Sequence, residues 1–190
     1  HSYWNDSANI LIQLAVSMRA HGRGGAVLVV PKDSVEWEQS VIHPIIYSLK
    51  PTYKGLADLV SNETRNKSDI FWQSALKKEV DNLAGLTAID GVTIINDKFE
   101  LLAFGAKTGR ANSSEHIHEL AFSEPINGGG TDVLHPAKTG GTRHLSAAQF
   151  VFDQRNTQAL VASQDGHFTI YSWCNTLNMV QAHRIESLLL

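Results

Sequence analysis

Between Gly140 and Phe150 the chain reads GGTRHLSAAQF: two glycines, a hydroxyl, a guanidinium and an imidazole in a row, then an abrupt turn to apolar residues. A glycine-rich turn that opens a helix leaves its first backbone N–H groups unpaired, next to the positive end of the helix dipole. Phosphate is attracted to such a spot. Thr142 adds a hydroxyl donor, and Arg143 adds a planar fork of donors matched to phosphate or carboxylate oxygens. The same residues also make a plain helix start, with Thr142 as N-cap, Arg143 in solvent and His144 as a surface or core residue. The glycine spacing fits neither the P-loop nor the dinucleotide fingerprint. On this segment alone the plain start outweighs the anion site.

Two further stretches carry chemistry. Ile89-Asp90-Gly91-Val92 places a carboxylate where a helix ends and a buried strand begins, which is costly unless Asp90 is paired, hydrogen-bonded or bound to a cation. An Asx turn capping the approach to the strand is the ordinary alternative. Ser163-Gln164-Asp165-Gly166 is a polar turn between two strands, and Asp-Gly by itself is a routine hairpin connector. Of the scattered candidates, His21 and His43 read as satisfied structural histidines. Arg23, between glycines, is the better ligand candidate, and Cys174 beside Trp173 reads as a small buried hydrophobe.

These residues must be positioned by an α/β framework. Ile10, Leu11, Leu14, Ala15 and Met18 fall at helical spacing, predicting a helix over 8–20 that stops at Gly22, Gly24 and Gly25. Ala26 to Val30 is an unbroken aliphatic run, the pattern of a strand buried on both faces. Val41 to Leu49 is a second strand, interrupted by Pro44 and so placed at an edge or a bulge. Ser68 is the expected N-cap of a helix carrying Phe71, Ala75, Leu76 and Val80. A hairpin follows, Val92 to Ile95 and Phe99 to Phe104 about a turn at Asn96 and Asp97. The stretch 108–141 is rich in glycine and lacks either periodicity, which predicts a long functional or mobile loop. Beyond it come a helix from about Leu145 to Asp153, strands over 158–162 and 167–173, and a closing helix over 175–190 with Leu177, Val180, Ile185 and Leu188 along it.

Composition narrows the function classes. The chain has 190 residues, 43% hydrophobic and 18% charged, which suits one globular domain with its own core. A net charge of −3 leaves no basic field to gather nucleic acid or an anionic membrane, so any anion site must be local. No apolar run approaches the roughly 20 residues of a membrane span, and the polar first ten residues do not read as a signal peptide. Cys174, the single cysteine, excludes an internal disulfide and favours a cytoplasmic setting. A start at His1 leads to the expectation of a domain cut from a longer chain, 1–190 being one unit of it.

Taken in order, these motifs resemble those of the diadenylate cyclase (DAC) domain, whose active members condense two ATP into cyclic di-AMP. The resemblance runs from about Ile10 to Trp173. It rests on a helix leading into Gly25-Ala26-Val27-Leu28-Val29-Val30, on Asp90-Gly91-Val92 where the family has DGA, on Gly141-Thr142-Arg143-His144-Leu145 where it has GTRHR, and on Ser163-Gln164-Asp165 where it has Ser-Glu-Glu. It implies a DAC-like fold, a mixed central β-sheet flanked by helices. It implies a nucleotide held by Gly91, Gly141, Thr142, Arg143, His144 and Ser163, and Mg²⁺ or Mn²⁺ held by Asp90 and Asp165. In an active member Asp90 would help activate the attacking hydroxyl, with two ATP-loaded copies face to face. The departures point away from turnover: Leu145 replaces the second phosphate-gripping arginine, Gln164 and the shorter Asp165 replace glutamates, Val92 adds bulk, and 108–141 is longer than its counterpart. His21-Gly22-Arg23-Gly24-Gly25 and Ile42-His43-Pro44 are similar to the sensor branch of this group, found in bacterial signalling and defence. The resemblance thus implies a sensor of ATP or a cyclic dinucleotide, a homodimer or higher homo-oligomer with a fused effector, and no nucleic acid or membrane partner. An active diadenylate cyclase is its alternative.

Overall fold

A computed structural model describes residues 2–62, 69–124 and 130–185, with the side chains of the first helix described from Asn9 onward. Helix α1 (Ser2–Ala20) turns its Ile10, Leu14 and Met18 stripe inward and closes where the Gly22 N–H bonds the Arg19 carbonyl. Strand β1 (Gly25–Val30) follows and is buried at every residue. Strand β2 (Tyr47–Tyr53), helix α2 (Gly55–Ser61) and helix α3 (Ile70–Leu86) come next. The hairpin β3 (Val92–Asn96) and β4 (Leu101–Ala106) falls within two residues of its expected position. Then come β5 (Leu120–Ser123), β6 (Asp132–Leu134), α4 (Thr142–Asp153), β7 (Gln158–Ala162), β8 (Phe168–Cys174) and β9 (Met179–Arg184).

Among the described residues nine strands form one sheet, in the order β2-β4-β3-β1-β7-β8-β9-β5-β6. The pairs β1–β3 and β5–β9 are parallel and the others antiparallel, so the chain is α/β with a mixed sheet. Strand alternation sends Ala26, Leu28 and Val30 to one face, where they meet Ala147, Ala148, Phe150 and Val151 of α4. Val27 and Val29 face the other way, into a core made with Leu14 and Met18 of α1, Leu56 and Val60 of α2, and Leu76, Val80 and Leu83 of α3.

Six expectations need correction. The stretch 108–141 is not one irregular loop: it contributes β5, β6 and a 3-10 turn at Pro136–Lys138, and it buries Ile117, Leu120 and Ala121. Strands of four and three residues are too short to show a period in sequence. The closing segment 175–190 is not a helix over its described part. It makes a tight turn at 175–178, with Asn178 at φ 51°, and then β9, in which Val180 and Ala182 alternate inward. Leu188 lies outside the described residues. Over 41–49 only an isolated bridge, Val41 to Thr108, precedes β2, which starts at Tyr47 beyond Pro44 and forms a sheet edge. Ser68 also lies outside the described residues. The cap of α3 is Asp69, whose carboxylate accepts the Phe71 N–H at 2.9 Å, and Phe71 is 82% exposed because Trp72, Leu76, Val80 and Leu83 carry the inner stripe. Finally, α4 begins at Thr142, three residues earlier than expected, and Cys174 is only half-buried.

Candidate functional site

Register brings the motifs together at one end of the sheet. Pairing of Gly25 with Ala162 sets the start of β1 against the end of β7, so the Gly24 turn faces the Ser163–Gly166 turn. The parallel pairing of Val27 with Thr93 sets Asp90, just ahead of β3, on the same rim. Helix α4 starts there too. The result is a cavity of about 550 Å³ lined by Asp90, Gly141, Thr142, Arg143, His144, Ser163, Gln164 and Asp165, with Val161 and Ala162 as its floor. Seven of the eight site residues read from the sequence line it, Gly91 being the eighth. Gly91, at φ 109°, instead packs on β4: a Cβ there would stand 2.6 Å from the Ala106 carbonyl oxygen, so glycine is required by strand packing.

The N-cap of α4 is Gly141, not Thr142. No side chain caps this helix, and the first-turn N–H groups of Thr142 and Arg143 precede any intrahelical acceptor, leaving an uncapped positive helix end at the cavity. The Arg143 side chain is half-buried and makes no hydrogen bond or ion pair among the described residues. Its guanidinium lies over Gly24, where a Cβ would come within 2.9 Å of Nη1. Gly24 is thereby read twice, as a φ of 68° and as the platform beneath the arginine.

The two carboxylates of the cavity are exposed and engaged. Lys107 donates to Asp90 and holds its carboxyl below the usual range. The Ser163 hydroxyl donates to Asp165, lowering its carboxyl likewise, and the His167 ring stands 3.7 Å away. Among the described residues no three His, Cys, Asp or Glu side chains group to hold a metal ion. Two carboxylates fit Mg²⁺ or Mn²⁺ only together with the oxygens of a bound phosphate, the usual manner of magnesium.

His144 borders the cavity but commits its ring to the core. It is buried, its Nδ1 lies 2.8 Å from the Tyr171 hydroxyl, and a Cβ on Gly140 would overlap its ring. The Tyr171 hydroxyl also lies 2.8 Å from Thr139 Oγ1, which donates to the Pro136 carbonyl at 2.7 Å. A carbonyl only accepts, so the proton directions follow one after another: Thr139 donates to Pro136, Tyr171 to Thr139, and His144 Nδ1–H to Tyr171. This fixes the tautomer of a neutral imidazole, in keeping with burial pushing its pKa down to about 4. Arg184 Nη2 donates to the Thr139 carbonyl at 2.9 Å and completes the brace. His144 is thus a support beneath the turn.

Leu145 lines a different cavity on the far side of the α4 start. Two other candidates are locally satisfied, His21 bonding Thr87 and His43 the Glu38 carbonyl, whereas Arg23, whose backbone N–H bonds the His21 ring, is exposed and not among the residues lining the cavity. Sequence reasoning missed Lys107, Gly24 as platform, and the Thr139–Tyr171–Arg184 brace. Only the pairing of Val92 with Ala106, which sets Lys107 beside Asp90, gives the first away. No helix among the described residues is long and apolar enough to cross a membrane. No family model and no curated protein matches the chain.

Proposed function

We propose that this chain is a DAC-like nucleotide-binding domain that recognises ATP or a cyclic dinucleotide rather than turning it over. The observation that carries the reading is Arg143: a guanidinium with no hydrogen bond or ion pair among the described residues, on an uncapped helix end, facing an open cavity large enough for a nucleotide. Thr142 and Ser163 supply hydroxyls at the same rim. Leu145 lies outside this cavity, so the phosphate end meets one guanidinium. Loss of one charged contact to a developing transition state costs roughly a hundredfold in rate. That favours binding over catalysis.

The alternative, a working diadenylate cyclase, is supported by Asp90 and Asp165 sharing the cavity. Phosphoryl transfer there would need two copies face to face, and Asp90 and Asp165 would hold a divalent ion that supplies charge neutralisation. One pair of measurements separates the readings. Calorimetry with ATP and with cyclic dinucleotides should show saturable binding that Arg143→Ala weakens about tenfold to a hundredfold, the worth of a charge-assisted hydrogen bond. Chromatography after incubation with ATP and Mn²⁺ should show no cyclic di-AMP. Its steady formation makes the chain an enzyme, and absence of binding by every nucleotide ends both readings.

A further inference from the structure

The cavity on the far side of the α4 start has a character of its own. It encloses about 420 Å³ between α4 and the 108–118 segment, and its charged and ring groups are Arg110, His116, His118 and His135. Leu145 and the buried Ile117 form an apolar wall, and no carboxylate is among the lining residues.

The segment that presents these side chains is pinned. Asp153 accepts the Ala111 N–H at 2.8 Å and the Ser114 hydroxyl, while Gln149 accepts the Ile117 N–H at 2.9 Å and donates to both the Glu115 carbonyl and Asp153. The nearby carboxylate of Asp153 is consumed in this pinning. Arg110, His116 and His118 make no hydrogen bond or ion pair among the described residues, and His135 uses only Nδ1, accepting from the Ala137 N–H at 3.2 Å. Donors are held ready on a fixed backbone, which lowers the ordering cost of binding.

We propose that this cavity is a second anion site, separate from the Arg143 cavity, that takes the phosphoryl group of a phosphorylated small molecule. A guanidinium and three imidazoles line it with no acid among them, and the imidazoles are not grouped to hold a metal ion, so the lining favours an anion. These groups match the three terminal oxygens of a phosphoryl group better than the two of a carboxylate. The wall of Leu145 and Ile117 receives the apolar or planar remainder of the molecule.

The test is a titration of the whole chain with inorganic pyrophosphate, followed by the imidazole ring resonances in NMR. Saturating shifts are expected at His116, His118 and His135, with His21 and His43 unmoved. Arg110→Gln, at an exposed and unbonded position, should weaken the dissociation constant read from those shifts at least tenfold, and His118→Gln should weaken it as well. Arg143→Gln should leave it unchanged. Absence of saturation, equal shifts at His21 and His43, or indifference to Arg110→Gln would each overturn the assignment. If Arg143→Gln instead abolishes the shifts, one site has been counted as two, and the proposal falls while the nucleotide reading stands. If nucleotides prove indifferent to Arg143→Ala but the pyrophosphate shifts survive, the second site stands and the nucleotide reading fails.

Discussion

His144 shows how a residue in a ligand motif can work from below. Its ring is neutral and committed to Tyr171, so its contribution to the turn at 140–144 depends on remaining uncharged. The sign follows directly: the folded pKa of about 4 lies below the unfolded value of 6.5, so the unfolded chain binds the extra proton between those values. Stability is complete above pH 6.5 and falls as the pH drops toward 4, by ~3 kcal/mol from this group. His183, also depressed by burial, adds in the same direction. The carboxylates Asp81, Asp90, Asp165 and Glu100 are held low and lose their contributions only in more acid solution. Urea unfolding at half-unit pH steps should therefore show a slope above pH 4 that His144→Gln largely removes. An unchanged slope would mean that the ring is not buried neutral. Tyr171→Phe should cost about 1–2 kcal/mol at pH 7, because it cuts the chain of donors and leaves His144 Nδ1–H unsatisfied.

At the scale of elements, what the sequence disclosed was what carries a strong local period. Strand β7 falls at its expected bounds, and β1 and the β3–β4 hairpin differ by a residue or two, because uninterrupted Val, Ile and Leu leave little choice. The closing strand was illegible for a physical reason. Leu177, Val180 and Ile185 imitate helical spacing, while the true period-two signal in β9 rests on Val180 and Ala182, and alanine carries little of it. The turn at Asn178 is affordable only because asparagine tolerates positive φ. At the site, the residue types were legible but not their orientation: nothing local says that His144 points in, that Leu145 faces a second cavity, or that Lys107 crosses to Asp90. The Gly24 turn tests how far an element supports the site. Gly24→Ala must hold a φ of 68° at a cost of about 1 kcal/mol, and its methyl displaces the Arg143 guanidinium. Calorimetry with the nucleotide that binds the wild type should show about tenfold weaker affinity from such a displacement, for a stability loss read by thermal melting of only a few degrees. Unaltered affinity would detach Arg143 from the ligand.

For the molecule as a whole, β1 is the common wall of two cores. Its Leu28 packs with α4 and Trp37 on one face, and its Val27 and Val29 pack with α1, α2 and α3, against which Trp72 lies, on the other. A sheet one strand thick cannot lose one face and keep the other, since stripping either core leaves the strands half-solvated and their parallel pairing without cover. Around the cavity stand Gly24 ahead of β1, beneath Arg143, Asp90 ahead of β3 and Arg143 itself on α4, so a ligand there would touch both the sheet and the helix that covers one face of it. Unfolding should accordingly be a single transition. Variants retaining only Trp37 or only Trp72 report on the two faces separately, and their fluorescence midpoints in denaturant should coincide with each other and with far-ultraviolet circular dichroism. Leu28→Ala, at a fully buried site, should lower both midpoints together, by about 2–5 kcal/mol of stability. If the Trp37 midpoint moves while the Trp72 midpoint stays, the helices α1 to α3 hold the sheet without α4. A ligand at the α4 start would then act on one half of the molecule, with no mechanical path through β1 to the other.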